Sequence, residues 1–239
     1  MCPDLQLAPQ ISAVGESVSG YIDMQAPHIV NHIVTGSLGE REVVVAAYDN
    51  GEVVAYDVKG ILAEVSRLDR LRSQAASTGR PKTRQPLASL RPFLHENVGH
   101  SAWGLAIHAR SRLIAVSSNL HEVMIFALAL SPCEGNPNNR NFSATCEAYG
   151  ESLDAHVRQR ARTWRIVIAL DESTQNLPNI SFLDDEYGYA EKICGMDIAG
   201  VVWTADIWES KQPVCRMLTA HEAHHAQARR YVSFPDRAT

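Results

Sequence analysis

No C-x-x-C pair occurs in this chain. Its five cysteines, Cys2, Cys133, Cys146, Cys194 and Cys215, are scattered and odd in number. A disulfide framework is therefore excluded as the basis of the fold, and reduced thiols in the cytosol or nucleus are expected. Long apolar runs are missing as well. The longest, Val123 to Leu130, falls far short of the ~20 residues needed to cross a bilayer. The opening MCPDLQLAPQ has no basic-then-apolar pattern, so no secretion signal is expected. The N-x-S sequons at Asn141 and Asn179 are then expected to stay idle. There is no glycine-rich phosphate loop and no G-x-S-x-G, which removes two of the readable catalytic signatures.

Charge of one sign is also in short supply. The net charge of −5 excludes a chain that binds nucleic acid by bulk charge alone. It hides one asymmetry. From Arg67 to Arg91 there are seven Lys/Arg and one acid, Asp69, which is +6 locally and leaves −11 elsewhere. A solvated insertion is the first reading of that stretch, and a nuclear-import signal built on GRPKTR (Arg80, Lys82, Arg84) is the second. Direct nucleic-acid contact is not expected, because no array of base-reading or aromatic partners accompanies the charge.

What the chain does have is a unit that recurs. EVVVAAYDNGEVVAYDV (Glu42 to Val58), RLIAVSSNLHEVMIFAL (Arg112 to Leu128) and KICGMDIAGVVWTADIW (Lys192 to Trp208) each read as strand, tight polar turn, strand. Asp49-Asn50-Gly51 is a strong hairpin signal, because Asn-Gly tolerates the positive φ such turns require. Asp197 to Gly200 is a weaker version, and Ser118 to His121 is a third without glycine. Gly39 is expected in a looser connection. A further strand precedes each unit, in HIVNHIVTG, SAWGLAIH and NLPNISFLD. TWRIVIAL (Thr163 to Leu170) is a clear fourth-strand candidate, and VCRML near Val214 is a poor one.

Repeated four-stranded meanders are the sequence sign of a β-propeller, with a plain β-sandwich as the alternative. Tyr56-Asp57-Val58 and Ala205-Asp206-Ile207 carry the WD-repeat ending, and Gly99-His100 precedes a first strand as such repeats often show. The expected fold is all-β: a partial WD-repeat-like β-propeller of about three blades with a short helical insertion. Its expected divisions are an N-terminal extension (1–26), a first blade (27–58) and a helical and basic insertion (59–92). A second blade (93–130), a disordered insertion (131–162), a third blade (163–210) and a C-terminal tail (211–239) follow. Ile61, Leu62, Val65, Leu68 and Leu71 fall at helical spacing, and Ser73 to Pro86 reads as flexible. His100 and Trp103 are expected to be structural, Trp103 as a core residue, and core packing is expected for Trp203 and Trp208.

Three blocks resemble a known family. PHIVNHIVTGSLGEREVVVAAYDNGEVVAYDV, PFLHENVGHSAWGLAIHARSRLIAVSSNLHEVMIFALAL and NLPNISFLDDEYG…MDIAGVVWTADIW are similar to the fungal WD-repeat-like regulators of ribonucleotide reductase transcription. They run from Pro27 to Trp208, and His95 to Gly99 with Ser101 to Ala106 is the most specific part. The resemblance implies a propeller scaffold in the nucleus or nucleocytoplasm of a fungus, working through protein partners in a regulatory complex, with no enzymatic site. Family members are generally much longer, so a partial member is expected.

One catalytic alternative is spelled out near the end. His221-Glu222-Ala223-His224-His225 matches H-E-x-x-H, in which two histidines hold zinc and the glutamate activates water. Only 14 residues follow His225, and none is His or Glu, so the third ligand is missing and no metal or cofactor is expected. A zinc hydrolase remains the alternative from another class, and a cullin-ligase substrate receptor is a second one by fold analogy. No membrane association is expected. Three blades do not close a ring, so each end blade is expected to expose an apolar face and the chain to self-associate.

Overall fold

Among the described residues, twelve strands fall into three antiparallel sheets, each a four-stranded meander taken in chain order. The computed structural model describes residues 7, 11–78, 90–129, 160, 162–170, 174–208 and 215–217. The first sheet holds β1 (Val30–Leu38), β2 (Arg41–Tyr48), β3 (Glu52–Asp57) and β4 (Leu94–Asn97). The second holds β5 (Ala102–His108), β6 (Leu113–Ser118), β7 (Glu122–Ala127) and β8 (Trp164–Ala169). The third holds β9 (Asn179–Asp184), β10 (Ala190–Met196), β11 (Val202–Asp206) and β12 (Cys215–Met217). A short helix α1 (Ala13–Ser17) precedes them, and α2 (Val58–Thr78) joins β3 to β4.

The sheets stack face to face, and the parity of each strand decides which neighbour it meets. In the second sheet Ile114, Val116, Met124 and Phe126 pack against Val43, Val45, Val53 and Ala55 of the first. Their alternates Leu113, Ala115, Val123 and Ile125 pack against Ile180, Ile193, Trp203 and Ala205 of the third. This is why β6 and β7 read as continuous apolar runs: both faces are covered. The innermost strands also meet, β1 with β5 and β5 with β9. Sequential four-stranded meanders stacked through their faces, inner strand beside inner strand, are blades. The fold is a partial, three-bladed WD-like β-propeller.

Several expectations need correction. The division at 93 fails because Leu94–Asn97 pairs with β3, so it completes the first blade. The division at 163 fails because TWRIVIAL supplies β8, which pairs with β7 along its whole length. Both fourth strands return after an insertion, and no local signal marks which sheet they rejoin. The weak candidate VCRML does supply an edge strand, β12, paired with β11. The stretch from Ser73 begins inside α2, which continues to Thr78. Gly39 is not in a loose connection. It adopts φ +66° in the tight β1–β2 turn, at the opposite end of β2 from Gly51, which has φ +83° in the β2–β3 turn.

The outer face of the first sheet is not exposed either. Ala46, Tyr48, Val54 and Tyr56 form a buried cluster closed by Ile61 of α2, Leu90 and Leu7. Burial pushes the Tyr48 phenol up to about 12, with Tyr56 and Glu52 adding to it, and raises Tyr56 as well. α2 is positioned for this by Asp57, whose carboxylate accepts from the Lys59 amide at 2.8 Å in the first turn. Asp57 also pairs with Arg41 at 3.3 Å. Asp206 accepts from the Trp208 amide at 2.9 Å in the equivalent place of the third blade. The second blade has Ala127 there. The aspartates of the WD-like endings thus shape the chain as it leaves the third strand.

Candidate interaction surface

The turns after the second strand of each blade, and the loops that lead from one blade to the next, share one end of the molecule. Contacts between them define it. The Asn119 amide donates to the Ser101 carbonyl at 3.2 Å, and the Ile198 amide to the Asn176 carbonyl at 2.9 Å.

Asp49 organises this end. It is fully buried, and its carboxylate accepts from the amides of Tyr21 (2.6 Å), Ile22 (2.9 Å) and Asp23 (3.2 Å). The Ser101 hydroxyl donates to the same group at 3.3 Å. A carboxylate ringed by amides gains charge-assisted hydrogen bonds that offset its burial. Here they fix a segment that lies more than 20 residues earlier in the chain. Gly20 makes the approach possible, since a Cβ there would lie 2.5 Å from Asp49 Oδ2.

Glu52 does the same at the far side of the same β2–β3 turn. It is 3% exposed and accepts from the Ser12 hydroxyl and, at 3.1 Å, from the Ser12 amide. His95 Nε2 lies 2.5 Å from its other oxygen, and Asn97 Nδ2 donates at 3.3 Å. Ser12 in turn caps α1 by accepting from the Gly15 amide at 3.0 Å. Asp49 and Glu52 therefore strap the segment before β1 onto the first blade at two points.

That strap leaves a row of apolar side chains in solvent. Tyr21 is 64%, Ile22 55% and Met24 73% exposed. Leu120 and Ile198, at the tips of the β6–β7 and β10–β11 turns, add to the same end. Trp103 lies beneath Tyr21, with the rings edge-on at 6.4 Å. It is half-buried and stands outside the three core clusters, which corrects its expected place in the core. Its Nε1, together with Asn31 Oδ1 and Asn119 Oδ1, has no hydrogen-bond partner among the described residues. Asn31 is tied to this site through its Nδ2, which donates to Ser101 Oγ (3.0 Å) and to the Ala102 carbonyl (2.8 Å).

The other expected motif residues divide. Gly51 sits where a Cβ would meet the His100 carbonyl at 2.6 Å. Gly99 and Gly200 occupy loop and turn at φ +82° and +79°. Asp197 is buried and accepts from Ala199, Val201 and the Trp203 indole. Trp203 is core, at 3% exposed, and Trp208 is half-buried with its indole donating to the Ala190 carbonyl at 2.8 Å. The His100 side chain is exposed; the hydroxyl that reaches Asp49 belongs to Ser101, one residue on. A further residue, Arg160, gave no sequence signal. It is 1% exposed and donates to the carbonyls of Ser111 and Leu128, with Trp208 stacked at 5.6 Å. Burial, then Arg112, lowers its guanidinium to about 10.

Arg80, Lys82, Arg84, His221, Glu222 and His225 lie outside the described residues. Among the described residues no group of three or more His, Cys, Asp or Glu side chains is placed to hold a metal ion. No described helix is long and apolar enough to cross a membrane.

Comparison with known proteins adds three findings. A family model described as CRT10 matches residues 8–215. An uncharacterized WD repeat-containing protein of Schizosaccharomyces pombe is 28% identical over 113 residues, 47% of this chain and 17% of that protein. The chain thus spans about a sixth of that relative's length. Among solved structures, the Cps50 (Swd1) β-propeller domain of Myceliophteria thermophila has a TM-score of 0.42 at 7% identity. That alignment covers 83% of this chain and 45% of the domain.

Proposed function

The chain belongs to the CRT10 family, the constitutive ribonucleotide reductase transcription regulators, and on that premise we propose that it is a non-enzymatic scaffold. In this reading it acts on ribonucleotide reductase transcription by holding protein partners. The supporting observation is the strapped apolar end: a buried carboxylate holds the backbone of Tyr21, Ile22 and Asp23, and the side chains of Tyr21, Ile22 and Met24 stand in solvent. Exposed aromatic and methionine side chains on a rigid frame are what protein interfaces use. The family match runs from residue 8 to the start of β12 and includes this segment. Nuclear action fits the same reading and assigns the import role to Arg80, Lys82 and Arg84.

The reading is tested by deleting the gene in its own organism and measuring ribonucleotide reductase transcripts, in growth and under replication stress. A change restored by the intact gene and not by a Tyr21/Ile22/Met24 triple serine variant is the expected result. Transcripts that stay unchanged in both conditions would overturn it. Metal analysis of the purified protein separates the scaffold from a zinc hydrolase: stoichiometric zinc lost on His225→Ala would favour the enzyme.

A further inference from the structure

Two side chains at the strapped end sit on β-bulges. Asn31 is the extra residue in β1, between the Val30–Tyr48 and His32–Ala47 pairs. Trp103 and Gly104 of β5 together stand opposite one residue of β6, between the Ala102–Ser118 and Leu105–Val116 pairs. A bulge re-aims a side chain out of the regular alternation, and bulges collect beside functional sites. The two strands are neighbours, and His32 Nδ1 donates to the Trp103 carbonyl at 3.1 Å.

Each bulge residue carries a polar atom that the fold leaves unused. The Asn31 amide nitrogen donates to Ser101 Oγ and to the Ala102 carbonyl. A carbonyl only accepts, so that contact fixes the nitrogen and leaves Oδ1 as the spare acceptor. Trp103 Nε1 is a donor without an acceptor, and Asn119 Oδ1 is a second spare acceptor, among the described residues. The Asn119 amide donates to the Ser101 carbonyl at 3.2 Å, so all three residues gather around Ser101. Buried polar atoms are nearly always paired. Three that are not, around one residue, mark a place where a guest completes the bonding.

We propose that these three atoms seat a primary carboxamide, the side chain of a Gln or Asn in an extended segment of a partner protein. The count of donors and acceptors selects that group. One donor and two acceptors call for one carbonyl oxygen and two N–H, which a primary carboxamide supplies. A carboxylate has no N–H, and an ammonium or guanidinium has no acceptor for the indole. A bound water has the same count, so a carboxamide takes its place without losing a bond. The apolar row decides between them: Ile22 and Met24 stand exposed in the same strap and offer contact that only a longer guest uses. Tyr21 is the cover. Its ring lies edge-on to Trp103 at 6.4 Å, and its backbone amide holds it to Asp49, so the ring can turn aside while the strap stays in place. The proposal rests on the reading of this end as a partner surface and names what that surface recognises.

Random heptapeptides displayed on phage and selected on the purified full chain test it. Enriched peptides are expected to share a Gln or Asn with apolar neighbours. In a synthetic copy of one, replacing that residue by its acid is expected to weaken binding about tenfold or more, because the acid has no N–H to give. The chain has four tryptophans, and the indole N–H resonance missing from Trp103→Phe is expected to be the one the peptide shifts. Trp103→Phe keeps a ring and removes the donor. Asn119→Ala removes an acceptor that makes no bond in the fold, and carries the test if Trp103→Phe does not fold. Each variant that melts with its parent is expected to bind the peptide about tenfold more weakly. Three outcomes overturn the proposal: selection without Gln or Asn, a Trp103 indole resonance unmoved by bound peptide, which leaves the seat to a water alone, or parental affinity in the folded variants. The selection uses the isolated chain, so an absent effect on transcription does not touch it. Partners lost with the Tyr21/Ile22/Met24 serine variant and kept by Trp103→Phe would preserve the partner surface and remove the carboxamide seat.

Discussion

The Asp49 carboxylate accepts the Tyr21 amide at 2.6 Å, a contact that spans 28 residues of chain. It converts a hairpin aspartate into the anchor of the segment that presents the exposed apolar row. Asp49→Ala removes the acceptor for three amides and is expected to cost about 1.5–3 kcal/mol, the range for hydrogen bonds to a charged group. Amide exchange at Tyr21, Ile22 and Asp23 should accelerate well before the blade core opens. Exchange unchanged at those three sites would show that the strap is held from elsewhere.

Glu52 makes the second anchor. Its truncation leaves Ser12, His95 and Asn97 facing a hole where a carboxylate stood. Glu52→Ala is expected to cost about 1.5–3 kcal/mol, the range for hydrogen bonds to a charged group. Limited proteolysis should cut within residues 11 to 17 faster than in the parent. A variant cut no faster there than its parent would remove Glu52 from the anchor.

Gly51→Val is expected to damage the fold more than Gly39→Val. Both positions have positive φ, so strain of about 1–3 kcal/mol applies to each. The difference is what the new side chain meets. At Gly51 it meets the His100 backbone carbonyl at 2.6 Å, which cannot move without shifting the loop to the second blade. At Gly39 it meets the end of the flexible Arg112 side chain at 2.8 Å. Equal melting temperatures would contradict this ordering.

The meanders were legible because each rests on signals within about 20 residues: apolar runs, an Asp-Asn-Gly turn, a terminal aspartate. The fourth strands were not assignable, because β4 joins β3 only after the long α2 insertion and β8 joins β7 after another. Pairing across such gaps is decided by packing, which leaves no local pattern. The site was legible in half. Asp49 and Gly51 stood out as turn residues, while the capture of Tyr21 by Asp49 and the burial of Arg160 depend on contacts that sequence spacing does not encode. His100 drew attention where Ser101 makes the contact, a one-residue miss that alternation along the chain turns into opposite exposure.

Alkaline pH should open the first blade's sealed face. Burial holds the Tyr48 phenol at about 12, against an ordinary value of 10. The folded state therefore keeps a proton that the unfolded chain gives up, and stability falls as pH rises from about 10 to about 12. The loss is on the order of 2–3 kcal/mol, at about 1.4 kcal/mol for each pH unit. Tyr48→Phe removes this proton and should flatten the decline, leaving the smaller contribution of Tyr56. Melts recorded between pH 9 and pH 11.5 check it. Parallel slopes for parent and variant would mean that Tyr48 titrates as an ordinary phenol.

Replacing Tyr21, Ile22 and Met24 by serine separates binding from folding. These side chains are more than half exposed, and substitutions at such positions usually change stability by no more than about 0.5 kcal/mol. Tyr21 is the exception to watch, since its ring covers Trp103. The amide contacts to Asp49 come from the backbone and survive all three changes. The triple variant should therefore melt with its parent while losing the protein partners retained by the tagged parent chain in its own organism. A coupled loss of melting temperature would show that the row packs as part of the fold, and full retention of the partners at unchanged stability would move the binding surface to another part of the propeller.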